Sequence, residues 1–526
     1  MAKILFINPA IRMEDVPRHV PYGMALLAAV CDRAGHQVQV FDANAWRPPI
    51  ETIREVLQAD SWDLVALGGI TTTYGYVKML VGEIEQLSPR PRVLVGGGLM
   101  TSIPHDMMRL LPGIDIGSIG EGIETLPEIL DFIDAGRTDW ENVLGIAWRD
   151  EAGKAHLNPN RPLMHDLDQL PYPAWDYFPL EEVYFKNSEV TYSEEGMKAT
   201  RRLDINASYG CSLFCRYCFH LGLIGDMTVY DKKDGERDIV FTRERNYRFH
   251  SPDYIINMVR HIRDKYNVDF VGFFDENLMT INTATGGWWL KELCEKWIES
   301  GLYNPETREG VHWSGTSHAK LANPEILKLM KRAGCSHLVY GLESFNDRVL
   351  KNIGKGSTVQ DNERAIRITM EAGIRPLPNQ MMGFPDEFFD SIIDSIDAWD
   401  RLGIEVKPFF VTPYPGCEWY YTYKDRILEQ YNGDLEAFLL DLGDATEITA
   451  VISENFNAVE LLGLRELMVK RDRRRIKEYE KHWRKVNGEP KLPVFRAAGW
   501  KKNLEELKAG QRETLYELPK MATSAR

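Results

Sequence analysis

Three of the seven cysteines in this 526-residue chain, Cys211, Cys215 and Cys218, lie together in the stretch YGCSLFCRYCFH (209–220). In a reducing compartment such clustered thiols indicate metal or redox chemistry, because disulfides are rare there. A structural zinc site usually takes its ligands from two separated pairs. No second pair exists here, and His220, the remaining zinc ligand to consider, follows Cys218 very closely. Iron–sulfur clusters are held by thiolates from tight loops of this kind. The spacing C-x3-C-x2-C therefore favours a four-iron cluster with one iron left open for chemistry, and zinc is the alternative.

The overall composition excludes several other classes of function. The chain has 63 Lys and Arg against 78 Asp and Glu, a net charge of −15, so neither nucleic acid nor an anionic membrane is an expected partner. No apolar run approaches the roughly 20 residues that span a bilayer, and MAKILFINPA lacks the features of a signal peptide. We therefore expect a soluble, cytoplasmic protein. The basic run KRDRRRIK (470–477) is interpreted as a solvated helix face. The remaining cysteines are expected to be inert and buried: Cys31, Cys294, Cys335 and Cys417.

Strands and helices alternate through residues 1–150, from the strand KILFIN (3–8) to the unit DIGSIGEGIETLPEILDFI (115–133), which turns from a short strand through glycines into a helix. This alternation predicts an α/β fold with a Rossmann-like, doubly wound parallel sheet. Ligands of such sheets bind beyond the carboxyl ends of the strands. Small residues gather at those ends, in the loops Gly68 to Thr73, Gly96 to Gly98 and Gly120 to Gly122. Tight turns need glycine with or without a ligand, so the residues alone leave both interpretations open.

A second alternation fills residues 201–430 and contains about six strand–helix units, beginning at RLDINAS (202–208) just before the cysteines. Six units are fewer than the eight of a closed TIM barrel, so we predict a partial (β/α)6 barrel. Residues 151–200 are a connector whose segment LPYPAWDYFP (170–179) is expected to cross the domain surface as a rigid linker. Residues 431–526 are predicted to form a small helical domain, with the end MATSAR frayed.

The cysteine motif, with Tyr217 directly before its third cysteine and a barrel strand before its first, resembles the radical S-adenosylmethionine (SAM) superfamily. The first domain is similar to the cobalamin-binding domains of cobalamin-dependent members, through GGITTTYGY, VLVGGGLMTSIP and GSIGEGIETLPEIL. YPAWDYFP, FFDENL, AGCSHLVYGLESFNDRVLKNIGKG and MMGFPDE are also similar to that group. The D-x-H-x-x-G loop that supplies a cobalt ligand in other cobalamin domains is absent, so whether a protein residue ligates cobalt stays open.

The resemblance implies a [4Fe–4S] cluster on Cys211, Cys215 and Cys218, SAM on the open iron, and cobalamin in the first domain. Cofactor contacts are expected at these residues: Thr71, Thr72, Thr73, Gly96, Gly97, Gly98, Glu121, Gly122, Tyr217, Glu343, Ser344 and Thr412. Glu343 would pair with the SAM ammonium or, alternatively, form an ion pair that stabilises the fold. Asp275 and Glu276 are placed near the substrate, with helix capping as the alternative for Asp275. Thr412 and Tyr414, at the end of the last strand, are candidates for contacts with SAM or substrate. Cavity lining or simple packing is expected of Tyr209, His220 and Trp313.

The activity implied is methyl transfer to an unactivated carbon. One SAM would methylate cob(I)alamin, and a second would yield a 5′-deoxyadenosyl radical that abstracts a substrate hydrogen. The implied partners are a small-molecule substrate and an electron donor of the flavodoxin or ferredoxin type. The alternatives are a related radical enzyme without methyl transfer, such as an anaerobic magnesium-protoporphyrin monomethyl ester cyclase, and a corrin- or cluster-based sensor.

Overall fold

The computed structural model describes residues 1–188, 199–213, 215–218, 227–232, 235–241, 247–495 and 505–509. Its first sheet has seven strands in the order β2-β1-β3-β4-β5-β6-β7. The strands are β1 (Lys3–Asn8), β2 (Gln37–Asp42), β3 (Leu64–Leu67), β4 (Arg92–Val95), β5 (Ile116–Ser118), β6 (Ile146–Arg149) and β7 (Ala155–Leu157). Strands β1 to β5 are parallel, and β6 and β7 add an antiparallel hairpin at the edge. The hairpin is absent from the sequence prediction.

Helices cover both faces of this sheet: α1 (Tyr22–Arg33), α2 (Ala43–Trp46), α3 (Ile50–Gln58), α4 (Tyr74–Glu85), α5 (Gly98–Ser102), α6 (Pro104–Leu110) and α7 (Gly122–Asp134). Alternate strand residues point to opposite faces, so Ile4 and Phe6 enter one hydrophobic core while Leu5 and Ile7 enter a second. This confirms the doubly wound domain. The order 2-1-3-4-5 places its topological switch between β1 and β3, and the loops at their carboxyl ends are the expected place for a ligand.

The second sheet is parallel, with six strands in the order β19-β18-β17-β16-β13-β8. The strands of this half are β8 (Arg202–Ile205), β9 (Ser208–Tyr209), β10 (Met227–Asp231), β11 (Arg237–Phe241), β12 (Arg248–Phe249), β13 (Phe270–Phe273), β14 (Tyr303–Asn304), β15 (Glu309–Gly310), β16 (His312–Ser317), β17 (Cys335–Glu343), β18 (Arg375–Met382) and β19 (Phe409–Phe410). The curled six-stranded sheet confirms the partial barrel.

The barrel helices are α8 (Pro252–Tyr266), α9 (Met279–Ala284), α10 (Trp288–Glu299), α11 (Pro324–Arg332), α12 (Asp347–Asn352), α13 (Val359–Glu371) and α14 (Phe389–Leu402). Their starts are encoded locally. Ser251 caps α8 by accepting the Tyr254 N–H, and Thr358 and Asp361 form a capping box at α13. The helices after β19 include α15 (Glu418–Thr422), α16 (Lys424–Glu429), α17 (Leu435–Asp441), α18 (Ala458–Val469) and α19 (Arg473–Asn487).

The connector was expected to cross the surface as a linker, and this prediction is wrong. Trp175 is fully buried, the Ala174 N–H donates to the Ala25 carbonyl of α1 at 2.9 Å, and the Tyr254 hydroxyl of α8 donates to the Leu170 carbonyl at 3.2 Å. The segment is therefore wedged between the first domain and the barrel, because its aromatic rings gain more from burial than a solvated linker would. The domain limits at residues 150, 200 and 430 stay predictions, although the first sheet itself continues to Leu157.

The prediction that the remaining cysteines are buried is confirmed, whereas the basic run is only partly a solvated helix face, since α19 begins at Arg473 and buries Ile476. The four other cysteines are all buried, and burial raises the pKa of Cys417 to about 12. In the basic run, Arg471 and Arg473 pair with Asp400 of α14. The segment MATSAR lies outside the described residues. Within the described part of the chain, no helix is both long and apolar enough to cross a bilayer.

Candidate active site

A cavity of about 300 Å³ opens at the carboxyl ends of the barrel strands, and Cys211, Cys215 and Cys218 all line it. Cys215 is buried and the other two are half-buried; the Cys218 N–H closes a turn onto the Cys215 carbonyl at 3.1 Å. Among the described residues no three acid, His or Cys side chains gather closely enough for a single metal ion. A four-iron cluster makes a different demand, because each thiolate binds its own iron. His220, the further ligand of the zinc alternative, lies outside the described residues.

One wall of the cavity is a buried polar triad made by Tyr217, Glu343 and Lys355. The Lys355 Nζ lies 2.9 Å from Glu343 Oε1, the Tyr217 hydroxyl donates to that same oxygen at 2.6 Å, and Nζ and the hydroxyl are 3.2 Å apart. Burial by itself would lower the pKa of Lys355, but Glu343 and the neighbouring Cys215 outweigh it and raise the pKa. Burial, reinforced by Glu343, raises the pKa of Tyr217 well above its usual value, so the phenol stays protonated and donates.

An unusual backbone conformation at Glu343 and the absence of a side chain at Gly341 make room for this triad. Glu343 has a φ of +63°, which is uncommon for a residue with a side chain. A Cβ on Gly341 would collide with Glu343 Oε1 and approach Lys355 Nζ to 2.9 Å. Glu343 therefore makes the ion pair that the sequence analysis gave as its alternative role. Lys355 was missed; its one sequence signal is its position between two glycines in IGKG.

The opposite wall carries polar atoms without partners. Glu276 Oε2 and both carboxamide atoms of Asn277 have no hydrogen-bond partner among the described residues, and both residues line the cavity. Burial raises the pKa of Glu276 to about 8. Because buried polar groups are costly when unpaired, this wall suits a polar ligand that offers both donors and acceptors. Asn277 was not singled out from the sequence, although it belongs to the strand-end segment FFDEN.

Asp275 serves the loop before the cysteines instead of the cavity. Its carboxylate accepts the Ala207 N–H at 3.1 Å and the Ser208 hydroxyl, which fixes the backbone just before the cysteine loop. Burial raises the pKa of Asp275 to about 6. It caps no helix, since α9 begins after Leu278. Asp275 thus stabilises the backbone that leads into the cysteine loop.

His318 lines the cavity as a neutral ring. Its Nδ1 accepts the Lys320 N–H at 3.3 Å, and its Nε2 lies 3.1 Å from the Lys355 carbonyl, so Nε2 carries the proton. Burial, together with the charge of Lys355, lowers the pKa of His318 to about 3. The ring therefore holds the backbone of Lys355 in place without adding charge.

Several predicted residues lie away from the cavity lining. Ser344 caps the turn before α12 by accepting the Asn346 N–H at 3.2 Å, and the Thr412 hydroxyl donates to the Phe410 carbonyl at 3.4 Å. Trp313 is a core residue whose indole donates to the Ala333 carbonyl at 2.9 Å, and the Tyr414 hydroxyl donates to the Gly443 carbonyl at 3.1 Å. These side chains serve packing and turns.

Tyr209 belongs to the interface between the domains, where the Arg248 guanidinium lies over its ring at 5.6 Å. Arg248, which the sequence analysis did not consider, forms a buried two-pronged ion pair with Glu121 of the first domain, one contact being 3.0 Å, and also donates to the Met164 carbonyl at 2.7 Å. The Glu121 carboxylate is therefore engaged with the barrel domain. Gly122, at the start of α7, packs against Leu27, and a Cβ there would lie 3.1 Å from its side chain.

The loops after β3 and β4 approach each other through glycine. Gly97 has a φ of +90°, and a Cβ on it would collide with the Gly69 carbonyl. Gly96 precedes this contact and Gly98 starts α5. In the other loop, β3 is followed by the 3₁₀ turn Thr71–Thr73, in which the first and last threonines are buried and Thr72 is half-buried. Beside it Ile70 is 40% exposed. The small residues and the exposed apolar side chain at this sheet edge fit a large flat cofactor such as a corrin.

Comparison with known proteins supports the assignment of the two α/β domains. Residues 12–130 match the family model of the B12 binding domain, and residues 205–398 match that of the radical SAM superfamily. An uncharacterized methyltransferase, PH0819, from Pyrococcus horikoshii is 27% identical over 437 residues, covering 82% of this chain and 85% of the relative. The anaerobic magnesium-protoporphyrin IX monomethyl ester cyclase of Synechocystis is 26% identical over 443 residues, covering 81% and 78%.

Among solved structures, the radical SAM methyltransferase TsrM from Kitasatospora setae superimposes with a TM-score of 0.60 at 18% identity, covering 79% of this chain and 75% of TsrM. At that identity the likeness establishes the fold. The matches to a B12 binding domain and to the radical SAM superfamily support a cofactor set of cobalamin, SAM and a [4Fe–4S] cluster. The chain thus combines a domain that matches the B12 binding domain with one that matches the radical SAM superfamily.

Proposed function

We propose that this protein is a cobalamin-dependent methyltransferase that moves a methyl group from SAM to an unactivated carbon of a small molecule. The observation that carries the proposal is a cavity lined both by the three cysteines and by unpaired polar atoms of Glu276 and Asn277, in a chain that also matches a B12 binding domain. The similarity to a methyltransferase over 82% of the chain supports this choice of reaction. When bound, the cluster and SAM supply one-electron bond cleavage, and cobalamin supplies a methyl carrier.

The cysteines Cys211, Cys215 and Cys218 are proposed as the cluster ligands. For SAM, the cavity offers groups of both charges. Glu343 already pairs with Lys355, so we assign the SAM ammonium to Glu276 Oε2 and Asn277 Oδ1, which lack partners among the described residues. An ammonium placed there favours the ionised form of Glu276, whose pKa burial otherwise raises to about 8.

The SAM carboxylate is assigned to Lys355, the one Lys or Arg among the residues that line the described cavity. Its ammonium is oriented by Glu343 and Tyr217, so little conformational freedom is lost when a carboxylate arrives. In the first domain, the loops Gly96 to Gly98 and Thr71 to Thr73 are proposed as the seat of cobalamin. One-electron reduction is assigned to a donor protein of the flavodoxin or ferredoxin type.

The test uses the full chain, purified without oxygen and supplied with iron, sulfide and hydroxocobalamin. We expect about four irons and about one cobalamin per chain. With SAM and a reductant, a methyltransferase with its substrate yields both S-adenosylhomocysteine and 5′-deoxyadenosine. Candidate substrates are presented as an extract of small molecules, and methyl-labelled SAM identifies the product.

The matched control is the triple variant Cys211→Ala, Cys215→Ala, Cys218→Ala. It is expected to lose iron and deoxyadenosine formation while it retains cobalamin, because the corrin loops lie in the other domain. Deoxyadenosine without S-adenosylhomocysteine or any labelled product would instead assign the chain to non-methylating chemistry, as in the cyclase relatives. Iron without corrin would remove the methyl carrier and with it the proposal.

A further inference from the structure

The cysteine loop is clamped from two sides through Arg216, which lies between two of the proposed cluster ligands and is nearly fully buried. Its Nε donates to Glu418 Oε1 at 3.0 Å and its Nη1 donates to the Asn352 carbonyl at 2.9 Å. The backbone adds two bonds: the Arg216 N–H donates to the Ile353 carbonyl at 3.0 Å, and the Trp419 N–H donates to the Arg216 carbonyl at 3.2 Å. The loop is thus fixed to the start of α15.

The same short helix reaches the first domain. The Tyr421 hydroxyl of α15 donates to the Ser102 carbonyl at the end of α5 at 2.8 Å. The Ser102 hydroxyl donates back to the Gly98 carbonyl at 2.6 Å, at the start of the loop proposed to carry cobalamin. Thr101 of α5 accepts the Gly120 N–H at 3.0 Å, which ties the loop after β5 to this helix.

A second link lies nearby, in α17. The Tyr74 hydroxyl at the start of α4 donates to Glu436 Oε1 at 2.5 Å, and the Lys78 Nζ lies 2.6 Å from the same oxygen. Helix α4 follows directly on the turn Thr71–Thr73. Helix α15 therefore contacts α5, which follows the loop after β4 and is bonded to the loop after β5. Helix α17 contacts α4, which follows the loop after β3.

Helices α15, α17 and α5 also share one hydrophobic core. Trp419, Tyr420 and Phe438 are fully buried in a hydrophobic core that also contains Met100 of α5 and Ile353 beside the cysteine loop. Close-packed cores transmit displacements because they have few voids to absorb them. The packed side chains of this core form a continuous path from α5 to the residues beside the cysteine loop.

We propose that Glu418–Asp441, the segment from α15 to α17, is an interdomain clamp that sets the position of the cluster loop relative to the cobalamin site, with Arg216 and Tyr421 as its positioning residues. The proposal rests on the proposed function for the identity of the two cofactors. Cobalamin bound in the first domain orders the cysteine loop through this clamp.

The test is hydrogen–deuterium exchange of the peptide that spans Cys211 to Cys218, measured on cluster-loaded protein with and without hydroxocobalamin. In the wild type we expect cobalamin to slow exchange by about fivefold, the effect of one hydrogen bond on local opening. In Tyr421→Phe, which loses the hydroxyl but keeps the ring, the slowing should disappear while cobalamin still binds, as followed by its absorbance.

Tyr423→Phe is the matched control. Tyr423 is a buried tyrosine of the same segment whose hydroxyl has no hydrogen-bond partner among the described residues, so this variant should behave as the wild type. Glu418→Gln should accelerate loop exchange even without cobalamin. Slowing that persists in Tyr421→Phe, or cobalamin that binds the wild type without slowing the loop, overturns the clamp alone. Failure of cobalamin to bind the wild type overturns both the clamp and the proposed function.

Discussion

Lys355→Met tests whether the buried triad is an ion pair that the barrel depends on. The substitution keeps the length of the side chain but removes the charge that lies 2.9 Å from Glu343 Oε1. Both partners are about 5% exposed, so the loss of the ammonium leaves the Glu343 carboxylate without its charged partner in a largely desolvated place. Removing one member of a buried pair costs about 3–5 kcal/mol, because the other charge is left without compensation. The Tyr217 hydroxyl remains bonded to Glu343 and places the expected loss near the lower end of that range.

The matched variant is the double substitution Glu343→Gln, Lys355→Met. With both charges gone, no uncompensated ion remains, and we expect a cost of only about 1–2 kcal/mol. The assay is urea unfolding of the cluster-free chain, followed by the fluorescence of tryptophans such as Trp297 and Trp313 of the barrel core, for Glu343→Gln, Lys355→Met, the double variant and the wild type. Midpoints are compared at an unchanged slope.

The reasoning is refuted by either of two results. If Lys355→Met unfolds at the wild-type urea concentration, the pair contributes nothing. If the double variant is as unstable as Lys355→Met, the loss comes from packing and not from charge. A coupling free energy above about 1 kcal/mol between positions 343 and 355 supports the ion pair.

Three further predictions concern the proposed corrin loops and the barrel cavity. Gly97→Ala, at a φ of +90° and against the Gly69 carbonyl, should abolish cobalamin retention while iron content stays unchanged; equal corrin content in variant and wild type would contradict the loop contact. Gly341→Ala should destabilise the barrel in the same urea assay, since its Cβ enters the Glu343–Lys355 pair. Burial raises the pKa of Glu276 from 4.5 to about 8, so the folded chain holds a proton that the unfolded chain has released, and stability should fall as the pH rises from about 4.5 towards 8. Glu276→Gln should flatten that decline, and identical pH profiles would show that Glu276 does not hold the proton.

Local patterns in the sequence predicted most of the elements. The strand KILFIN is β1 residue for residue, and Ser251 with Pro252 marks the start of α8, because burial periodicity and capping depend on neighbours along the chain. The connector was misplaced for the same reason. Nothing near Trp175 in sequence shows that α1 and α8 will enclose it, so a segment rich in proline and aromatic residues reads as a linker.

The features of the candidate site likewise fall into those that the sequence predicts and those that appear only in the folded structure. The cysteine motif and the order of the two α/β domains were evident from the sequence, because they depend on residue types at short spacings and on the alternation of strands and helices. SAM and cobalamin were implied by the family resemblance, since the glycine-rich loops by themselves left a ligand undecided. Lys355 beside Glu343, Arg248 on Glu121 and Tyr421 against Ser102 were decided only by the tertiary structure. Each of these contacts joins residues from separate elements, and two of them join separate domains. The energy of burying such charges and hydroxyls exists only once the cores have closed around them, and no local pattern in the chain records it.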